Sequence, residues 1–310
     1  MDATVLDLLK RSAAIPSMPQ VATRFLEIIQ DPDFEYRQVA EVLSTDPGMA
    51  SEILRLANSA LFGVTRQVTS LSQALTLLGI KRIRSLVLGR YIVDSINQKA
   101  SVRIKTSYYW RRSVGTAVLA ARLADTLAAN LREEAFISGL LADIGVMILD
   151  DAVPDQYQPI AEQYRPGGKA DLAAAERALL GSTHAEVSAL VLEHWQLPEV
   201  ICEAVRGHPW ELREEPGPAL PNIVGAADLI AKRLCESPTE LDEAVQDCRQ
   251  VMQGLKLDPG ALAESLEEIE SQIEEFAEVL RIDVIPSQMY ELVAREVREK
   301  LVGQPDPAPV

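Results

Sequence analysis

The sequence predicts an all-α protein. Apolar residues recur at roughly the 3.6-residue helical spacing in almost every segment. No run of alternating apolar and polar residues argues for a sheet. Proline, glycine, serine, threonine and aspartate stand where helices start or stop. With 47% hydrophobic and 25% charged residues over 310 positions, the chain has the ordinary balance of a globular protein that buries a core.

The elements follow in order. Val21, Phe25, Ile28 and Ile29 share one face of a first helix, which Asp31-Pro32 ends, because proline pushes the preceding residue out of the helical region. Asp46-Pro47 starts another, with Asp46 as N-cap and Pro47 at the first helical position. Ser70 caps a third, and Gly79 is suited to close it in a left-handed conformation. A longer helix spans Ser107 to Leu127, and a second, apolar on most of its circumference and therefore central, runs from Ala135 to Leu149. Thr183-x-x-Glu186 has the form of a capping box, so a helix begins beside His184. Pro198 and Pro221 open two more, separated by a loop rich in proline and glycine. Helices at Asp242–Gln253, Ala261–Leu280 and Ser287–Val302 finish the fold, and the last eight residues, GQPDPAPV, are too rich in proline to pack.

Charge and cysteine usage exclude several classes of function. A net charge of −16 disfavours nonspecific binding to nucleic acid or to an anionic membrane. No apolar run reaches the roughly 18 residues that a membrane-spanning helix needs, and the first twenty residues lack a secretory pattern. Cys202, Cys235 and Cys248 are far apart and form no CxxC pair, which fits reduced thiols in a cytoplasmic protein. The charge is uneven. Nine basic residues against the single acid Asp94 lie between Gly79 and Arg112, whereas Trp210 to Val302 holds 21 acidic and nine basic residues. Within the basic stretch, Arg82, Arg84 and Arg90 follow Gly79 on a helix. They read either as the solvated side of a core helix or as a contact for an anionic ligand or acidic partner. Phosphate loops, dinucleotide fingerprints, HExxH helices and GxSxG elbows are all missing.

Several segments resemble one family. IPSMPQVATRFLEIIQDPD, VAEVLSTDPGMASEILRLANSALFG and TSLSQALTLLGIKRIRSLVL are similar to the N-terminal half of the HDOD domain. The Asp46-Pro47 and Leu56-Ala57-Asn58-Ser59 signatures are part of that likeness. AFISGLLADIG, HAEVSALVLEHWQLP and His208 continue the likeness in order, over residues 8–235. The resemblance implies an HDOD fold in three parts: an N-terminal helical bundle at 8–105, packed on a degenerate HD-like bundle at 106–235, with an acidic helical extension at 236–302. A tail at 303–310 follows. The extension reads as a partner-binding appendage, a lid or added core.

HDOD domains are relatives of HD and HD-GYP phosphohydrolases, which hold divalent metals on histidines and aspartates from different helices. On that pattern the resemblance implies a degenerate metal site. Arg112 replaces the first His and Ala142 replaces the His of the His-Asp pair. Asp143, His184, His208 and Asp228 match the remaining ligand positions. Arginine has only donors and stays protonated, so it cannot ligate a metal. Arg112 is expected to pair with Asp143 or Asp228 instead. His194 has no role in the pattern. The implied function is noncatalytic bacterial signal transduction, through contacts with a signalling protein or through a nucleotide or other anion, with no required cofactor. The alternatives are a residual phosphohydrolase holding a weak divalent metal, and a nucleotide-binding sensor.

Overall fold

A computed structural model describes residues 18–58, 67–98, 103–168, 171–210, 219–235, 240–267, 269–285, 287 and 289–301. Ser59 of the signature, the middle of the proline-rich loop (211–218) and the tail at 303–310 lie outside them. Among the described residues every regular element is helical, and the chain divides into two compact units. Among the described residues no helix is long and apolar enough to cross a membrane.

The smaller unit holds helices α1 (Gln20–Gln30), α2 (Tyr36–Ser44), α3 (Pro47–Ala57) and α4 (Leu71–Asn97). Both expected caps form. Asp46 accepts from the Met49 N–H at 3.0 Å, and Ser70 accepts from Gln73 N–H at 3.2 Å. Gly79 has φ 76°, as a helix-ending glycine should, but it breaks α4 rather than ending it, and the chain resumes helix at once. Phe25, Val39, Leu43, Ile53, Leu75 and Ile83 are fully buried and form the core. At the end of α3, Asn58 bonds Leu54 O and both backbone polar groups of Val68.

The larger unit comprises α5 (Thr106–Leu127), a 3-10 turn (Ala129–Leu131), α6 (Arg132–Leu141), α7 (Ile144–Ala152), α8 (Pro154–Ala161), α9 (Leu172–Leu180) and α10 (His184–His194). After these come α11 (Glu199–Arg206), α12 (Leu220–Leu234), α13 (Leu241–Leu255), α14 (Pro259–Leu266) and α16 (Met289–Leu301). Helix α5 is buried around most of its circumference and packs against α6 and α12. The single helix expected from Ala135 to Leu149 is two, broken at Ala142–Asp143, where Asp143 leaves helical geometry at φ −97°, ψ 9°. Ser188 satisfies the groups freed by the break. Its Oγ donates to Ala142 O at 2.7 Å and accepts from Gly145 N–H at 2.8 Å. Gly145 permits the approach, because a Cβ there would lie 2.1 Å from the His184 carbonyl oxygen.

The helix expected at 261–280 is likewise broken, into α14 and α15 (Ile269–Leu280). The division of the chain departs from a linear one with an extension from 236. Described residues at 240–274 and 283–301 belong to the larger unit, and 275–282 to the smaller. Val251, Leu262, Ile273 and Val297 are buried, so the acidic helices add core. Arg111 on α5, fully buried, ties them down. It forms a two-pronged pair with Glu270, one prong at 2.9 Å, and its guanidinium lies 4.7 Å from the Tyr290 ring centre. Within the smaller unit, residues 275–282 are held by Arg55–Glu278 at 2.9 Å and Arg281–Glu52 at 2.8 Å. Cys202, Cys235 and Cys248 are free and buried.

Candidate functional site

The larger unit gathers all six positions expected for a degenerate metal site. Arg112 comes from α5, Ala142 and Asp143 from the α6–α7 break, and His184 from the start of α10. His208 follows α11, and Asp228 lies on α12. The break aims Asp143 inward. The capping box of Thr183 and Glu186 fixes the first turn of α10 and with it His184.

Arg112 grips Asp228 with two prongs, Nε to Oδ1 at 3.0 Å and Nη2 to Oδ2 at 2.7 Å. Its Nε also lies 3.3 Å from Asp143 Oδ2. The Tyr164 hydroxyl donates to that same Asp143 oxygen at 2.6 Å, while its ring lies under the guanidinium at 5.0 Å. Thr116 donates to Asp228 Oδ1 at 3.4 Å. One arginine therefore serves both carboxylates.

A second network fixes the histidines. Glu176 of α9 accepts from the His184 backbone N–H and lies 2.6 Å from His184 Nδ1, and the Tyr157 hydroxyl donates to its other oxygen. His208 Nδ1 lies 2.7 Å from the Val205 carbonyl, which can only accept, so Nδ1 carries a proton. The two Nε2 atoms face Asp143 Oδ1 from 3.4 and 3.5 Å, long for hydrogen bonds. That oxygen is buried without a hydrogen-bonded partner.

Burial alone would raise the Asp143 pKa, but the Arg112 guanidinium and the two imidazoles hold it well below the usual carboxylate range. Burial would lower that of His184, but the Glu176 and Asp143 carboxylates push it up to about 9. Burial also opposes the charge of Arg112, and Asp143 and Asp228 keep it protonated. At neutral pH two cations, Arg112 and His184, thus face the carboxylates of Asp143, Asp228 and Glu176.

Asp143, His184 and His208 also test whether a metal fits. Their ligand atoms lie within 4.8 Å of one another, and each imidazole is oriented through its other nitrogen, as metal-ligating histidines are. This set fits one divalent ion with three donors. The set fits a second ion poorly, because Ala142 offers no side-chain donor and Arg112 already pairs with Asp228 and faces Asp143.

Arg82, Arg84 and Arg90 lie elsewhere, on α4 of the smaller unit. Arg90 is paired within the smaller unit. Helix α3 brings Glu52 to 3.0 Å from it, and Asp94 one turn along pairs with it too, so its charge is spent internally. Arg82 and Arg84 also interact within the chain. His194 is exposed. Sequence reasoning missed Glu176, Tyr157 and Tyr164. The available signal was a lone glutamate on the short helix just before the Thr183 cap.

Comparisons with known proteins place these observations in context. The sequence model of the HDOD domain matches residues 15–209. An uncharacterized protein of Treponema pallidum (strain Nichols) is 26% identical over 202 residues, covering 63% of this chain. The chain spans only 38% of that relative's length. Among solved structures, a candidate phosphohydrolase from Shewanella amazonensis SB2B superposes with a TM-score of 0.71 at 26% identity, covering 90% of this chain and 98% of its own. An HDOD domain protein with unknown function from Geobacter sulfurreducens gives 0.66 at 23% identity, covering 89% and 98%. A protein from Marinobacter aquaeolei VT8, described as a candidate signal transduction protein, gives 0.65 at 19% identity, covering 89% and 65%.

Proposed function

The chain belongs to the HDOD domain family, and on that premise we propose that it is a noncatalytic regulatory module of the bacterial cytoplasm, signalling through a partner protein or a small ligand. One observation carries the reading. Arg112, which cannot ligate a metal, pairs with Asp228 at 2.7 Å and Asp143 at 3.3 Å, and so supplies internally the positive charge that a cation would otherwise bring. A divalent ion on Asp143 would sit against that fixed guanidinium and be repelled. The site then acts as a polar clasp joining α5, α7, α10 and α12, with no cofactor required.

The test is turnover. Purified protein supplied with manganese or magnesium and a panel of nucleotides, cyclic dinucleotides and simple phosphate esters should release no phosphate above background, while a tagged chain should retain a specific bacterial partner. Phosphate release that disappears in His208→Ala would sink the proposal.

A second reading, a metal-dependent phosphohydrolase, is favoured by the convergence of Asp143 Oδ1, His184 Nε2 and His208 Nε2. There a single divalent ion held by those residues would supply Lewis acidity and an activated water. Arg112 would hold Asp228 away from that ion, which is why this reading ranks second.

A further inference from the structure

The larger unit has a cavity of about 580 Å³ above Arg112, within the size range of small-molecule sites. In a chain of net charge −16 its lining is unusual: it carries four basic residues, Arg112, Arg177, Arg206 and Lys232. The three lining carboxylates are each already engaged. Asp171 caps α9 through Ala174 N–H, Glu186 accepts from Thr183 N–H and the Ser182 hydroxyl, and Asp228 is gripped by Arg112. Arg177 and Arg206 are held only loosely. Their side chains are 58% and 43% exposed, and their pairs with Glu186 and Glu193 are of the solvent-screened kind that exchanges readily for a better partner. Trp210 supplies an aromatic wall.

We propose that this cavity binds a nucleoside phosphate, with the phosphate between Arg177, Arg206 and Lys232 and the base against Trp210. The chemistry follows from the side chains. Two guanidiniums and an ammonium in one lining match a phosphate, and a flat indole suits a flat heterocycle. The Arg112 clasp forms the floor and stays closed. The inference rests on the noncatalytic reading of the same site and names the ligand that this reading leaves open.

Calorimetric titration of the full chain in EDTA, with the four common ribonucleoside diphosphates, pyrophosphate and the free nucleosides as probes, tests it. At least one diphosphate should bind about tenfold or more tightly than pyrophosphate or its own nucleoside. Arg177→Ala/Arg206→Ala should weaken that binding by at least about tenfold, with the ligand-free melting temperature unchanged because both side chains are exposed. Trp210→Phe should weaken it less than Trp210→Ala. Absence of binding by all four diphosphates, equal binding of pyrophosphate, or unaltered affinity in the double arginine variant would each overturn the proposal. Hydrolysis of the bound nucleotide on adding manganese would instead overturn the noncatalytic reading and leave the binding site standing.

Discussion

Arg112 Nε and Nη2 meet Asp228 Oδ1 and Oδ2 at 3.0 and 2.7 Å, joining α5 to α12 through a part-buried two-pronged ion pair. Removing one partner of such a pair strands the other charge in the interior, at a cost of about 3–5 kcal/mol. Arg112→Ala should lower stability by that amount in denaturant unfolding. Because the substitution unmasks two carboxylates beside two imidazoles, millimolar manganese or zinc should recover part of the loss, whereas the wild-type midpoint should move little with metal.

Restoring both missing imidazoles tests the same relationship in the opposite sense. Arg112→His/Ala142→His should bind a divalent transition metal in calorimetry at least about tenfold more tightly than the wild type. Equal affinities would mean that Arg112 does not occupy a ligand position.

Protonation of His184 gives a pH signature. Its pKa is raised to about 9 in the folded chain by the Glu176 and Asp143 carboxylates, from about 6.5 when unfolded. The stabilisation is therefore complete below the unfolded pKa and fades as pH climbs through the folded one. The amount is on the order of 3 kcal/mol, from linkage. Denaturant midpoints should fall between about pH 6.5 and 9, and His184→Gln should flatten that slope.

At the α6–α7 break, Ser188→Ala should cost about 1–3 kcal/mol, because it strips partners from the buried Ala142 carbonyl and Gly145 N–H. Gly145→Ala should cost more. Its Cβ would meet a backbone oxygen at 2.1 Å, which no rotamer change relieves. Thermal melts of the two variants give the comparison, and a Gly145→Ala protein as stable as wild type would show that α7 and α10 have room to separate.

Arg111 makes a parallel case on the other side of α5. With no exposed surface and with Glu270 and Tyr290 as partners, it should cost about 1–3 kcal/mol on truncation to alanine, because the Glu270 carboxylate left behind can turn to solvent. Glu270→Gln, which leaves the fully buried guanidinium without its counter-charge, should cost at least as much. Hydrogen exchange should accelerate first in α15 and α16.

Local chemistry was legible in the sequence. Asp46, Ser70 and Thr183 cap helices as their residue types dictate, because a cap depends on neighbours two or three positions away. The resemblance located Arg112, Asp143, His184, His208 and Asp228, and the larger unit brings them together. Tertiary partners were not legible. Glu52 reaches Arg90 across 38 positions and Tyr164 reaches Asp143 across 21, and no periodicity encodes either approach. The break at Ala142–Asp143 was hidden for the same reason. The residues on both sides are uniformly apolar, and the group that compensates the break, Ser188, lies 46 residues from Ala142.

The most direct measurement is the metal content of the protein purified without chelators, by elemental analysis against protein concentration. A clasp in which Arg112 already pairs with both Asp143 and Asp228 predicts far less than one transition-metal ion per chain, with Arg112→His/Ala142→His gaining metal under the same preparation. One tightly held ion per wild-type chain, lost together with stability in His208→Ala, would contradict it.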